Sequence, residues 1–351
     1  MIKMKEINYK LVFFVLWLLL PNNVLSQQLG NWTTLNYLNM GRFANIGVLA
    51  NDSIIFTLCG FGYNMTPYPV EKAVINPDGT LSEWSIDTQS MNIARSSPVG
   101  FFYNGNIYVL GGSNPVSYIG QCTTVEKAKV NTDGTLGKWE YISPLLQGVK
   151  QASLVLTPPY VYIIGGWYDS NESSSAIVRG KIQPDGNIIE WAISTSQLLI
   201  GRRGLSTILI DSTIYVIGGT SLGHENESNN TECATLHPDG ELSAFQFCGL
   251  TKVYHFQPAL LFDGKHLNVI GGYVGGGNYE YRGERMLINS DGTLGEPEIA
   301  PGLQYETSGF GYVQAPTGGY VIGDADDYGF VQFAPFLAPT GIDKKYWEVM
   351  E

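Results

Sequence analysis

The segment 106–112 reads NIYVLGG, and the segment 132–139 reads TDGTLGKW. The Asp-Gly pair between alternating apolar runs predicts a tight β-hairpin, because glycine accepts the positive φ angle that such turns require. The two glycines after the apolar run allow the backbone to bend sharply and to approach a neighbouring sheet. The stretch therefore predicts four short strands, over residues 96–103, 106–110, 123–130 and 136–142.

This unit recurs six times, at intervals of 51 to 54 residues. A glycine follows the second strand of every unit, at Gly60, Gly112, Gly166, Gly219, Gly272 and Gly323. The Asp-Gly turn comes next in the first five units, at Asp78, Asp133, Asp185, Asp239 and Asp291. An aromatic residue follows in four of them, and proline in the fifth: Trp84, Trp139, Trp191, Phe245 and Pro297. Four-stranded units that cannot bury both faces alone stack around an axis, so the sequence predicts an all-β, six-bladed β-propeller with four antiparallel strands per blade.

The two ends of the repeat region complement each other. Residues 29–32 read LGNW and match LGKW at 136–139, so the repeat region begins with a fourth strand that no other three precede. The last unit offers only three strands, over 309–313, 319–323 and 329–334. Pairing the two ends removes free strand edges, which invite aggregation. We therefore expect the N-terminal strand to complete the last blade, and deletion of residues 27–36 to open the ring.

The glycine pair, the aromatic residue on the fourth strand and an arginine near the first strand resemble the Kelch repeat. The resemblance spans residues 29–338 and implies a Kelch-type propeller over 27–340, followed by a polar tail at 341–351. Two units depart from the repeat at the first glycine, where unit one has Cys59 and unit six is aligned with Ile322.

Two kinds of Kelch-like enzyme offer comparisons for chemistry. Copper radical oxidases resembling galactose oxidase need two histidines, a tyrosine and a cysteine-linked tyrosine at the channel, and only His255 of the 4 histidines is well placed here. Sialic acid mutarotases also have six blades and use acidic and arginine residues near the channel. That resemblance implies an alternative, a sugar-modifying enzyme such as an epimerase. Its active site would combine a basic residue at the channel rim with Glu280, Glu284 or Glu306.

The N-terminus has the features of a secretory signal peptide. Three lysines precede an apolar run over 11–20, and small residues up to Ser26 suit a cleavage site, so we expect residues 1–26 to be removed. The run is shorter than the roughly 20 residues of a membrane span. Its removal takes away three lysines and one glutamate, which leaves 17 basic and 31 acidic residues and a net charge of −14. This acidity disfavours nucleic acid and anionic membrane surfaces as partners.

Secretion implies two kinds of covalent modification. Sequons for N-glycosylation occur at Asn31, Asn51, Asn64, Asn171, Asn226 and Asn229. Cys233 and Cys248 flank the Asp239 turn almost symmetrically, so we expect them to face each other on paired strands and to form a disulfide bond. Cys59 and Cys122, on neighbouring blades, are a second candidate pair. No Cys or His pair has the spacing of a zinc site.

The loops that follow second and fourth strands share one face of the ring, which we call the loop face. After the second strands these loops cover residues 61–70, 113–121, 167–175, 220–230, 273–283 and 324–328. Their sequences differ, whereas the Asp-Gly turns on the opposite hairpin face are alike, so we expect binding on the loop face. The aromatic and charged candidates for contact with a glycan or a protein are Trp167, Tyr168, Tyr273, Tyr279, Glu280, Tyr281 and Arg282.

Basic residues also stand close to the start of the innermost strands. The candidates for a cationic rim at the channel mouth are Arg42, Arg95, Lys150, Arg202, Arg203 and His255, with Glu306 in unit six. Such a rim suits a carboxylate or sulfate on a sugar. In the structural alternative, these side chains bond loop carbonyls between blades. An acidic cluster at Asp324, Asp326 and Asp327 leaves a calcium site and a solvated turn as alternatives.

These features predict a secreted, monomeric binding protein that recognises an extracellular glycan or protein through its loop face, with no cofactor and no metal. The sequence shows no nucleophile with an adjacent base. The sugar-modifying enzyme at the channel mouth is the alternative function.

Overall fold

The computed structural model of the protein describes residues 27–62, 69–114, 120–168, 173–221, 229–275, 278–324 and 329–338. These residues form six antiparallel sheets arranged as blades in a ring, which confirms the predicted six-bladed β-propeller. The predicted signal peptide and the tail at 341–351 lie outside the described residues. No helix within the described ranges is long and apolar enough to cross a membrane.

Strands β1 (Gln28–Leu29) and β2 (Thr33–Thr34) precede the first blade. Blade one contains β3 (Phe43–Ala50), β4 (Ile54–Phe61), β5 (Glu71–Val74) and β6 (Ser85–Ile86). Blade two contains β7 (Val99–Tyr103), β8 (Asn106–Leu110), β9 (Val125–Lys129) and β10 (Glu140–Ile142). Blade three contains β11 (Ser153–Thr157), β12 (Tyr160–Ile164), β13 (Ile177–Ile182) and β14 (Ile188–Ile193).

Blade four contains β15 (Arg203–Ile210), β16 (Thr213–Thr220), β17 (Asn230–Thr235) and β18 (Gln246–Leu250). Blade five contains β19 (Ala259–Phe262), β20 (His266–Gly275), β21 (Asn278–Leu287) and β22 (Glu298–Ala300). Blade six contains β23 (Gly311–Ala315), β24 (Gly318–Ile322) and β25 (Val331–Leu337). The first strands of neighbouring blades contact each other, so they surround the central channel.

The N-terminal strands complete the last blade, as the sequence predicts. Strands β1 and β2 both pair antiparallel with β25, with Gln28 opposite Leu337 and Thr33 opposite Phe333. Trp32 is 3% exposed and packs into the core between blades five and six, where its Nε1 donates to the carbonyl of Pro301 at 3.2 Å. The ring is therefore closed by hydrogen bonds and by apolar burial at the same seam.

The hairpin face joins neighbouring blades through a repeated tyrosine contact. Tyr162 donates its hydroxyl to the carbonyl of Gly240 at 2.6 Å, and Tyr215 donates to Gly292 at 2.9 Å. Tyr320 closes the same contact from the last blade to Gly79 at 2.7 Å. The second strand of each of these three blades thus holds the Asp-Gly turn of the next blade.

A ring of backbone hydrogen bonds surrounds the channel mouth. One residue per blade adopts a left-handed conformation there, and these residues are Ala44, Ser97, Gln151, Gly204, Gln257 and Gly309. Five of the six amides donate to the carbonyl of the preceding member of the ring. These bonds include Ser97 to Ala44 at 2.8 Å and Gln257 to Gly204 at 2.6 Å, and Ala44 donates to Gly309. The remaining link, from Gly309 to Gln257, is absent among the described residues, so the seam between blades five and six lacks one bond of the ring.

The register corrects one alignment made from the sequence. Val321 pairs with Gln332 as Val269 pairs with Glu284, so Gly323 takes the first glycine position of unit six and Asp324 the second. Ile322 therefore does not replace a glycine. The amide of Asp324 donates to the carbonyl of Arg42 at 3.1 Å, the inter-blade bond that the second glycine makes in blades one to four.

Candidate functional site

Hydrogen bonds between neighbouring blades define which loop-face residues are equivalent in the six blades. The second glycine of one blade donates its amide to the carbonyl that precedes the first strand of the next, as Gly60 does to Arg95 and Gly166 to Arg202. In the third blade the acceptor is Val149, bonded by Gly112 at 2.7 Å. The equivalent positions are therefore Arg42, Arg95, Val149, Arg202, His255 and Thr307.

The three arginines at this position are buried and paired with a glutamate on the third strand of their own blade. Arg95 is 1% exposed, and its Nη2 donates to Glu126 Oε1 at 2.5 Å. Its Nη1 donates to the carbonyls of Gly111 and Thr124 at 2.8 and 2.9 Å. Arg42 pairs in the same way with Glu71, and Arg202 Nη2 donates to Glu232 at 2.9 Å. The arginines therefore bond backbone carbonyls, as the structural alternative expects, but these carbonyls belong to the arginine's own blade and not to its neighbour.

Histidine takes the arginine position in the fifth blade. His255 Nδ1 lies 2.8 Å from the carbonyl oxygen of Gly271, and His255 Nε2 lies 3.6 Å from Glu284 Oε1. Burial by itself raises the pKa of Glu284, but the His255 ring and the amides of Lys252 and Val253 outweigh it and lower that pKa. In the sixth blade Thr307 stands at the arginine position and Gln332 at the glutamate position, while the predicted Glu306 is exposed beside Thr307.

Lys150 and Arg203 stand one residue after this position, in neighbouring blades, and meet at Trp167. Lys150 Nζ lies 4.4 Å from the Trp167 ring centroid, and Arg203 Cζ lies 3.9 Å from it. Two backbone bonds between Lys150 and Trp167, of 3.1 and 2.8 Å, fix the backbone of Trp167 beside that of Lys150. Neither cation has a carboxylate within ion-pair distance among the described residues. We call these three residues the cationic cluster.

No carboxylate of the described ranges compensates the charge of the cationic cluster. Burial, and then the neighbouring charge of Arg203, lower the pKa of Lys150. Burial also lowers the pKa of Arg203. Two cations that destabilise each other are stabilised by an anion placed between them, and desolvated charges interact more strongly than charges in water. The cluster is thus suited to bind a carboxylate or a sulfate.

The other loop-face candidates have different surroundings. Tyr168 is buried in the core of blades two and three, and Tyr281 is exposed. Glu280 is buried and accepts from Arg282 Nε at 2.8 Å and from Arg282 Nη2 at 2.5 Å. Tyr273 lies on β20, and its backbone forms an antiparallel β-bridge with that of Phe256. The side chain of Tyr279 lies outside the described residues.

The central channel holds a cavity of about 250 Å³, lined by the first strands. Its polar lining includes Asn45, Ser97, Gln151 and Gln257, and its apolar lining includes Leu205 and Phe310. Among the described residues, the lining contains no carboxylate, histidine, lysine or arginine. Charged groups of the loop face therefore lie outside this cavity.

Of the predicted modification sites, one cysteine pair is in contact. Contact between the two buried thiols lowers the pKa of Cys233 and raises that of Cys248. Cys59 instead has its sulfur 3.5 Å from that of Met91, and burial raises its pKa to about 12. Cys122 is also a buried thiol. Both disulfide bonds stay predictions.

The described sequons are accessible. Asn31 and Asn51 are exposed and Asn229 is half-buried, whereas Asn64, Asn171 and Asn226 lie outside the described residues. Glycosylation stays a prediction for all six.

The acidic cluster is described only in part. Asp324 is buried and accepts from the amide of Phe330 at 3.2 Å, whereas Asp326 and Asp327 lie outside the described residues. Across the part of the chain that the structure covers, no group of three or more His, Cys, Asp or Glu side chains is placed to hold a metal ion.

Neither the models of known protein families nor the curated proteins contain a match to the chain. The propeller fold is therefore defined by the strand order and register described above.

Proposed function

We propose that this chain is a secreted, non-enzymatic binding protein that recognises a ligand through its loop face, and that the ligand is a glycan bearing carboxylate or sulfate groups. The observation that supports it is the cationic cluster, in which Lys150 and Arg203 lie within 4.4 Å of one tryptophan ring centroid without a carboxylate partner among the described residues. Such a pair stands out in a chain whose formal net charge is −12.

We infer further that the ring is of the Kelch type. The paired glycines at φ angles such as 65° and 85° for Gly111 and Gly112, and the buried Trp84 and Trp139, support this assignment. A Kelch-type ring exposes unlike loops on one face of a rigid scaffold, which is a common arrangement for binding.

The experiment that tests the proposed function is a glycan array probed with the secreted, purified protein. We expect glycans that carry uronic acid or sulfate to bind and their neutral counterparts not to bind. Binding of neutral and acidic glycans alike, or of neither, would overturn the glycan assignment. A parallel pull-down from culture medium tests the second ligand class, because a protein captured in the absence of glycan binding would make the partner a protein.

Matched variants locate the binding surface on the same array. Lys150→Ala with Arg203→Ala removes both cations of the cationic cluster. The control, Lys181→Ala with Arg179→Ala, removes the same two charges from the hairpin face of blade three. There Arg179 stacks on Tyr160 at 5.0 Å and pairs with Glu241 at 2.6 Å. We expect the first variant to lose acidic glycans and the control to keep them.

A further inference from the structure

The buried glutamates of the ring have a second role besides their ion pairs. In the fourth blade, Glu232 accepts from the amides of Leu199 and Ile200 at 2.6 and 3.4 Å, in the loop before the first strand. Glu126 accepts from the amide of Asn92 at 2.8 Å, and Gln332 accepts from Gln304 at 2.7 Å. Glu71 and Glu284 each accept from two successive amides of their loops in the same way. In five blades, a side-chain oxygen of the third strand therefore caps this loop.

The third blade lacks both members of the pair. Val149 stands at the arginine position, and Val178 stands at the glutamate position, since Val178 pairs with Ile163 as Glu232 pairs with Val216. The amides of Leu146 and Gln147 occupy the positions of the capped amides in the other blades. No oxygen of the described residues accepts a hydrogen bond from either of them.

A cavity of about 330 Å³ lies where the missing side chains would be. Val149, Val178, Ile163 and Tyr168 form an apolar wall, and the segment 145–147 and the serines at 173–175 line the remainder. A volume of roughly 300 Å³ or more, with an apolar wall and a few polar groups, is typical of small-molecule sites.

Among the described residues, the lining of this cavity contains no carboxylate that would repel an anion. The third blade has no glutamate at the position where the first, second, fourth and fifth blades have one. A carboxylate is also the group that the equivalent amides bind in four other blades, and charge-assisted hydrogen bonds are stronger than neutral ones.

We propose that this cavity is a second binding site, specific for a small monocarboxylate with an apolar body, such as a short aliphatic or aromatic acid. The carboxylate takes the place of the missing glutamate on the amides of Leu146 and Gln147, and the apolar body lies against Val149, Val178 and Ile163. This site does not depend on the glycan proposal, because it uses backbone donors and apolar contacts beside the cationic cluster.

The test is a titration of the ¹⁵N-labelled protein with hexanoate, with hexanol as the control that shares the apolar body. We expect hexanoate to shift the amide resonances of Leu146 and Gln147, and hexanol to bind about tenfold or more weakly because it lacks the charged acceptor. Arg203→Ala is expected to leave these shifts in place. Shifts confined to other residues, no shifts, or equal binding of hexanol would overturn the proposal.

A variant that restores the pattern of the other blades gives the second test. Val149→Arg with Val178→Glu places the ion pair in the cavity, and we expect it to abolish hexanoate binding. Ser175→Phe fills the cavity from its serine side without adding a charge, and the same loss is expected. Since Ser175 is half-buried and Phe adds no buried charge, this variant decides the question if the double variant does not fold. Wild-type affinity in either folded variant would contradict the site.

Discussion

The buried pair of Arg95 and Glu126 allows a quantitative test of how the blades are stabilised. Both side chains are fully buried, and Glu126 also accepts from the amide and the side chain of Asn92, each at 2.8 Å. Glu126→Leu leaves the guanidinium of Arg95 buried without its counter-charge. Removal of one partner of a buried pair costs about 3–5 kcal/mol. For a domain of this size we expect the thermal midpoint to fall by about 5–8 °C.

The double variant Arg95→Met with Glu126→Leu removes both charges and keeps a similar apolar volume. Replacing a whole buried pair is often neutral or stabilising, so we expect this variant to unfold at a higher temperature than Glu126→Leu alone. Val149 and Val178 show that the third blade already accommodates an apolar pair at these positions. Circular dichroism at one scan rate measures the thermal midpoints of the wild type, of Arg95→Met and Glu126→Leu alone, and of the double variant. Additive losses in the double variant would refute the coupling on which this prediction depends.

Four further predictions concern the ring and its cysteines. Trp32→Ala is expected to lower the free energy of unfolding, measured with denaturant, by about 3–5 kcal/mol because the indole fills the closing seam. Deletion of residues 27–36 should expose the edge of β25 and give oligomers in size-exclusion chromatography. Unchanged stability of Trp32→Ala would contradict closure through this strand. The Gly309 amide, which lacks its ring bond, should exchange hydrogen faster than that of Ser97 or Gln151, and equal protection would argue against an open link. Intact mass after alkylation should show Cys233 and Cys248 joined in the secreted protein, whereas four alkylated thiols would exclude the bond.

The sequence predicts the fold well because the markers that define it are local and repeated. Asp-Gly turns and paired glycines set strand ends by backbone conformation alone, which explains why the predicted strands at 106–110 and 123–130 match β8 and β9 closely. Ring closure follows from counting strands. These properties need no knowledge of side-chain contacts.

The rim residues were harder to predict because a hydrogen bond from the neighbouring blade decides which residue stands at the start of each first strand. The sequence places Lys150 beside Arg95 and Arg202, but the bond from Gly112 assigns that position to Val149. Of the glutamate partners, Glu71, Glu126 and Glu232 were missed because a charged residue on a strand is usually taken to face solvent. Their signal is present, since Glu71, Glu126, Glu232 and Glu284 occupy one register position of the third strand.

The most direct measurement of the central claim combines a change in the ligand with a change in the protein. An acidic oligosaccharide from the array and its carboxyl-reduced or desulfated counterpart are titrated by calorimetry into the wild type and into Lys150→Ala with Arg203→Ala. We expect loss of the ligand charge to weaken wild-type binding by about tenfold or more, because it removes charge-assisted hydrogen bonds, and to leave the variant's affinity nearly unchanged. An equal loss of affinity in both proteins would show that the ligand charge is recognised elsewhere, and would contradict the assignment to Lys150, Trp167 and Arg203.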